Sequence, residues 1–151
     1  MSLVIVLQGC AATVSTIADN RSVTEPMAAR AGSPAYAFAP LSGPPAAVAD
    51  RLAVSFASAS QARGLPLASY GNRKSALVIK GFISVVPGAD GTTAVYVWDV
   101  LDANLERLHR ISGQTTDPAK AADGWDALSE KTLDTIAETT LDQLALWQAG
   151  Q

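Results

Sequence analysis

The chain is poor in cysteine and histidine, which disulfides, zinc sites and catalytic triads require. It contains one cysteine, Cys10, and one histidine, His109, among 151 residues. A single cysteine excludes an intramolecular disulfide and a zinc site made of several cysteines. No apolar run approaches the roughly 20 residues of a membrane-spanning helix. The 11 Lys and Arg residues are outnumbered by 14 Asp and Glu residues, so the sequence predicts no nucleic-acid partner.

The cysteine lies directly after the apolar run Leu3 to Leu7, in the segment Leu7-Gln8-Gly9-Cys10. This segment resembles a bacterial lipobox, in which a signal peptidase cuts before a cysteine whose thiol receives a lipid. The apolar run is shorter than the roughly 7–15 residues of a secretory signal, and no Lys or Arg precedes it. The alternative is a short amino-terminal strand with a buried free cysteine, because free cysteine packs as a small hydrophobe. We predict that Cys10 is the lipidation site.

Residues 11–33 are poor in large apolar side chains and rich in Ala, Ser and Thr, so we predict a flexible tether. The predicted organisation is a signal-peptide remnant with its lipobox over 1–10, this tether, and a single α/β domain over 34–151. The lipobox implies a lipoprotein of the cell envelope, anchored in a membrane. Ala11 rather than Asp after Cys10 favours the outer membrane, with the domain facing the periplasm, and the inner membrane is the alternative.

Strand and helix patterns follow one another in the rest of the chain. The predicted elements are a strand at 35–40, a helix that begins in the segment 42–45 and runs to about Arg63, a weak strand at 65–70, strands at 76–86 and 94–101 joined by the turn 87–91, a third arm at 107–112 and a helix from Trp125 to Gly150. These elements predict an α/β (α+β) fold, with a small mixed sheet whose three-stranded antiparallel meander packs against two helices. The last helix should contribute to the core through Leu133, Ile136, Leu141 and Leu144.

Three segments of the meander carry a family resemblance: Lys80-Gly81-Phe82, 95–102 and 107–113. With the order of the elements, they resemble the small α/β domain at the amino-terminal end of TolB and in the envelope lipoproteins that activate penicillin-binding proteins. They also look like a group of uncharacterised lipoproteins from alphaproteobacteria. The resemblance covers about residues 35 to 148 and implies the fold, but it carries over no catalytic residue. The short tether argues against a long reach through the cell wall.

Candidate catalytic residues are few. His109 would need Asp99 or Asp102 and a serine to form a triad, and no serine lies in a Gly-x-Ser-x-Gly turn. We interpret His109 as an exposed strand residue and the two aspartates as turn-forming residues. The sequence therefore predicts a protein that is not an enzyme and that holds neither a cofactor nor a metal.

The candidate partner-binding residues are Arg107, Arg110 and Lys80, because Arg and aromatic side chains most often carry interface energy. One hypothesis puts these cations on the same sheet face as Tyr96 and Trp98. In the other, the aromatic side chains are core and the cations are solvated.

Strand alternation sends Arg107 and Arg110 to opposite sides of the sheet unless the strand bulges near Leu108. We predict a non-catalytic envelope lipoprotein whose domain binds a partner protein of unknown identity. The alternative is a lipoprotein that binds a small molecule or a glycan. An apolar pocket of about 300 Å³ or more would favour this alternative.

Overall fold

The computed structural model describes residues 34–151. Its elements are β1 (Ala35–Phe38), α1 (Ala46–Arg63), a 3-10 segment (Tyr70–Ser75), β2 (Ala76–Gly88), β3 (Gly91–Leu101), β4 (Arg107–Asp117), a 3-10 turn (Trp125–Ala127) and α2 (Glu130–Ala149). The strand order is β1-β2-β3-β4, with β1 parallel to β2 and the other pairs antiparallel. The predicted α+β fold, a mixed sheet with a three-stranded meander and two helices, is confirmed. Cys10, the lipobox and the predicted tether lie outside the described residues.

Helix α1 begins and ends where the sequence predicts. Pro45 precedes its first turn with a φ of −58°, a position where the missing N–H costs nothing. At the other end Gly64 adopts the left-handed conformation, with φ 61°, and its N–H donates to the Gln61 carbonyl. Such a glycine ends a helix because it has no Cβ to clash. The side chains spaced every four residues, Val48, Leu52 and Phe56, are all buried.

Helix α2 begins later than predicted. Trp125–Ala127 forms a separate 3-10 turn, and Leu128 is extended, so the apolar periodicity starts before the helix does. The helix begins after Ser129, whose side chain accepts a hydrogen bond from the Thr132 N–H, as N-cap serines do. The four core residues predicted for this helix are at most 1 % exposed: Leu133, Ile136, Leu141 and Leu144.

The segment 65–70, predicted as a weak strand, contains only a single bridge between Leu67 and Tyr36 of β1. The Tyr36 N–H donates to the Pro66 carbonyl, and the Ala68 N–H donates to the Tyr36 carbonyl. Pro66 has no N–H of its own, so a longer ladder cannot form here. The residues that follow form the 3-10 segment Tyr70–Ser75.

The strands of the meander are longer than predicted, both where β2 and β3 approach their turn and at the end of β4. Gly88 pairs with Gly91, which leaves a two-residue turn in place of the five-residue turn that was predicted. β4 continues to Asp117, beyond the predicted end of the third arm at residue 112, so Gly113 lies within the strand. Gly113 faces the ring of Tyr96, and a Cβ there would collide with this ring. The glycine is therefore a packing position rather than a strand end.

Both helices pack on one face of the sheet and contact each other. Ion pairs join them at two levels: Arg51 Nε to Glu130 Oε1 at 2.5 Å, and Arg63 Nε to Asp142 Oδ1 at 2.6 Å. The core between the helices and the sheet includes Tyr36, Ile79, Ile83, Tyr96, Trp98, Val100 and Ile111. We call this side of the sheet the helix face and the opposite side the open face.

Candidate functional site

A bulge in β4 decides which side chains share the open face. His109 pairs with Val100, whereas Arg107 pairs with Leu101, so Leu108 is an extra residue without a partner on β3. One inserted residue moves the following side chains to the other face of a strand. Arg107 and Arg110 therefore lie on the same face, which fulfils the condition stated from the sequence.

The three predicted partner-binding residues surround one carboxylate on this face, and we call them the cationic cluster. Arg110 donates from Nε and a terminal nitrogen to both oxygens of Asp99, at 2.6 and 2.8 Å. Arg107 lies 3.9 Å from the same carboxylate, and Lys80 is the partner of Asp99 on β2. Arg107 and Arg110 are about half exposed, at 53 % and 50 % of the side chain. Asp99 thus positions two arginines without removing them from water.

The charges of the cluster act on Asp99. The Arg110 hydrogen bonds hold the pKa of the Asp99 carboxyl below its ordinary value, with further lowering by the charges of Arg107 and Lys80. Burial acts in the opposite direction but does not prevail. The same hydrogen bonds raise the pKa of Arg110. One carboxylate therefore faces three cations and remains ionised, so positive charge is left over for a partner.

The prediction that both aspartates form turns is correct for one of them. Asp102 accepts hydrogen bonds from the Asn104 and Glu106 N–H groups, each at 2.8 Å, and so holds the turn between β3 and β4. Asp99 instead bridges strands through Arg110. Position within the strand accounts for the difference, because Asp99 lies opposite a basic residue on each neighbouring strand.

The open face also carries exposed apolar side chains. Phe82 and Val86 of β2 lie on this face and are both 53 % exposed. Leu108 at the bulge of β4 is 50 % exposed. Tyr96 and Trp98, by contrast, are buried on the helix face. The hypothesis that the cations share a face with these two aromatic residues is therefore wrong, because β3 alternates strictly through this region.

His109 lies on the helix face, where its ring stacks on Trp147 of α2 at 5.2 Å and an interplanar angle of 5°. It is half-buried, rather than fully exposed as predicted. Within residues 34–151 no carboxylate hydrogen-bonds to it. The same part of the chain contains no group of three or more His, Cys, Asp or Glu side chains placed to hold a metal ion.

A buried polar group at the end of β4 was not predicted from the sequence. Asp117 accepts hydrogen bonds from Ser129 N–H at 2.8 Å and from Thr132 Oγ1 at 2.6 Å, and also from Ser129 Oγ and Ala119 N–H. Burial alone would raise the pKa of Asp117, but these hydrogen bonds lower it well below its ordinary value. The group joins β4 to the first turn of α2 and explains where that helix begins.

An apolar cleft of about 430 Å³ lies between the end of β1 and α1, and its size meets the criterion stated above in favour of the small-molecule alternative. Trp98 and Phe56 form part of its wall, and Asp50 lies at its rim. Residues from four separate stretches of the chain line it, so no local motif marks it. The cleft lies on the helix side of the sheet, away from the cationic cluster.

Comparison with known proteins identifies no relative. No family model, no curated protein and no solved structure matches this chain. The resemblance to the TolB domain and to the activator lipoproteins therefore stays a prediction. In residues 34–151, no helix combines the length and the apolar character needed to cross a membrane.

Proposed function

We propose that the chain is a non-catalytic envelope lipoprotein, anchored through Cys10, whose domain binds a partner protein in the periplasm through the open face. The observation that carries the proposal is the bulge at Leu108, which brings Arg107 and Arg110 together on one face. A bulge re-aims side chains at the edge of a sheet and is a common device beside functional surfaces.

The chemistry of this face favours a partner segment that presents a carboxylate flanked by apolar side chains. Arg107 is held only loosely, at 3.9 Å from Asp99, and its planar fork of donors matches a carboxylate. Phe82 follows Lys80 by two residues on the same face and is about half exposed, so apolar surface adjoins the cluster. Interfaces of this type combine arginine and aromatic anchors with an apolar centre.

Site-directed photocrosslinking in native membranes tests the proposed surface. A photoreactive phenylalanine analogue at Phe82 should crosslink to a protein of one size in membranes of the source cells. The matched control is the same analogue at Val54, which is 70 % exposed on α1. Equal crosslinking from both positions, or none from Phe82, would place the partner elsewhere.

Charge reversal tests the cluster within the same assay. Arg107→Glu or Lys80→Glu should reduce the Phe82 crosslink about tenfold, because a like charge then faces the partner's carboxylate. Lys131→Glu, an exposed reversal on α2, should leave it unchanged. If all three variants crosslink equally, the cationic cluster does not bind the partner.

The lipid anchor has its own test. Palmitate labelling of the full chain in the source bacterium should disappear in a Cys10→Ser variant, since the serine oxygen cannot form the thioether. Labelling that persists in this variant contradicts the anchor while leaving the crosslinking result to stand separately.

A further inference from the structure

The apolar cleft has the dimensions of a small-molecule site. Its volume of about 430 Å³ falls within the range of roughly 300–1,000 Å³ that is usual for ligand pockets. The principal apolar side chains in its lining are Phe38, Leu41, Leu52, Phe56, Leu67 and Trp98. They come from β1, the segment after it, α1, the segment before the 3-10 helix, and β3.

Aromatic rings form one wall of the cleft. Trp98 meets Phe56 edge to face, with ring centres 5.2 Å apart, and meets Phe38 in the same way at 6.0 Å. Gly81 makes this arrangement possible, because a Cβ at that position would collide with the Trp98 ring and with Leu41. Trp98 Nε1 is buried and has no hydrogen-bond partner within residues 34–151.

The charge at the rim of the cleft is negative. Among residues 34–151, Asp50 is the only charged residue of the lining, and no residue of this part of the chain forms an ion pair with it. Its neighbour Arg51 is bonded to Glu130 on α2. Arg73 lies 4.9 Å from the ring centre of Tyr70 and is not part of the lining. The carboxylate of Asp50 is therefore available to a ligand that enters the cleft.

We propose that this cleft binds a small apolar cation, an aromatic body that carries a single amine. The body replaces water against the rings of Phe56 and Trp98, and the ammonium group lies at the rim beside Asp50. Aromatic rings also attract cations through their negative faces. A sugar fits this wall poorly, because its hydroxyl groups would lose hydrogen bonds to water without gaining partners.

Three ligands with the same ring and different charge test the proposal: 1-naphthylmethylamine, 1-naphthylmethanol and 1-naphthoate. Each is titrated calorimetrically into the full chain at pH 7. The amine should bind about threefold more tightly than the alcohol and about tenfold more tightly than the acid, as expected for one partly exposed charge pair. Failure of all three to bind overturns the site, and equal binding of amine and acid overturns its charge preference.

Two pairs of variants locate the binding. Ala53→Phe places a ring in the cleft and should abolish binding, whereas Ala57→Phe, one turn further along α1 and outside the lining, should not. Asp50→Asn should remove the preference for the amine over the alcohol, whereas Glu138→Gln on α2 should keep it. The site is wrong if Ala53→Phe binds like Ala57→Phe. Arg107→Glu should bind normally, so this result is independent of the proposed partner surface.

Discussion

The same strands supply side chains to both faces of the sheet, but the two faces differ in how deeply these side chains are buried. On β3, Tyr96, Trp98 and Val100 are at most 3 % exposed against the helices, whereas the alternate residues Val95 and Val97 stay half-buried on the open face. Both sets of side chains are apolar enough to form a hydrophobic core. The difference shows that burial follows from where the two helices pack, not from hydrophobicity along the strand.

Polar groups differ between the faces in the same way. On the helix face, Asp117 is 2 % exposed and is bonded to Ser129 and Thr132. On the open face, Asp99 is bonded to Arg110 while both arginines of the cluster remain in water. A buried carboxylate must be satisfied within the protein, so it stabilises structure. A charged group at the surface retains donors that a partner can use.

The largest loss of stability is expected from a substitution in the core on the helix face. Leu141→Ala leaves a cavity beneath α2, where the side chain is fully buried, and should lower the free energy of unfolding by about 2–5 kcal/mol. Leu146→Ala on the same helix is the control, because that side chain is 74 % exposed. Chemical denaturation of both variants measures the difference. Equal stabilities would show that α2 is peripheral to the core.

Removing the charge of Asp117 should have the next largest effect. Asp117→Asn should cost about 2–3 kcal/mol at pH 7, since hydrogen bonds to a charged group are lost. The folded pKa of Asp117 lies below its unfolded value, so its stabilisation is complete above the unfolded pKa of about 4 and is lost as the pH falls towards the folded pKa. Urea titrations at pH 7 and pH 3 should therefore show a smaller difference between parent and variant at pH 3. A constant difference would contradict this account of the carboxylate.

Gly81→Ala tests how tightly the helix face is packed where β2 contacts Trp98. The added Cβ collides with the ring, so we expect a loss of about 1–3 kcal/mol, as for other overpacked cores. Gly71→Ala is the matched control, because the nearest atom to a Cβ there is 3.8 Å away. Thermal denaturation of the two variants should differ clearly. If Gly81→Ala melts like the parent, Trp98 has room to move.

The smallest effect is expected on the open face. Arg107→Glu should change stability by no more than about 0.5 kcal/mol, because substitutions at exposed positions rarely do more. Circular dichroism melts of parent and variant should coincide. A large destabilisation would mean that the cationic cluster holds the sheet together rather than serving a partner.

Local signals in the sequence predicted much of the fold. Pro45 and Gly64 bracket α1 because their effects on the backbone act within one turn. The hairpin followed from two strand patterns around a glycine-rich turn, although its turn is two residues rather than five. The predicted start of α2 was wrong because the apolar spacing continues back to Trp125. The N-cap at Ser129 depends instead on Asp117, which lies 12 positions away.

The candidate site followed only in part from the sequence. Arg107, Arg110 and Lys80 were identified by residue type, and the need for a bulge at Leu108 was stated, but only pairing with β3 shows that the extra residue is there. The stacking of His109 on Trp147 was also not predicted, because it joins residues of β4 and α2 that are distant in the sequence. The cleft had no signal at all, because its lining residues come together only when α1 packs on the sheet.

The sequence by itself determined the order of the four sheet strands and the two helices, the capping of α1 and the apolar stripe of α2, since these depend on neighbours within a few positions. Tertiary structure alone decided which face of the meander is covered, where β4 bulges, and how Gly81 admits the ring of Trp98. The physical reason is the range of the interactions. Propensity and capping act along the chain, whereas register, burial and cavity shape depend on which distant segments pack together.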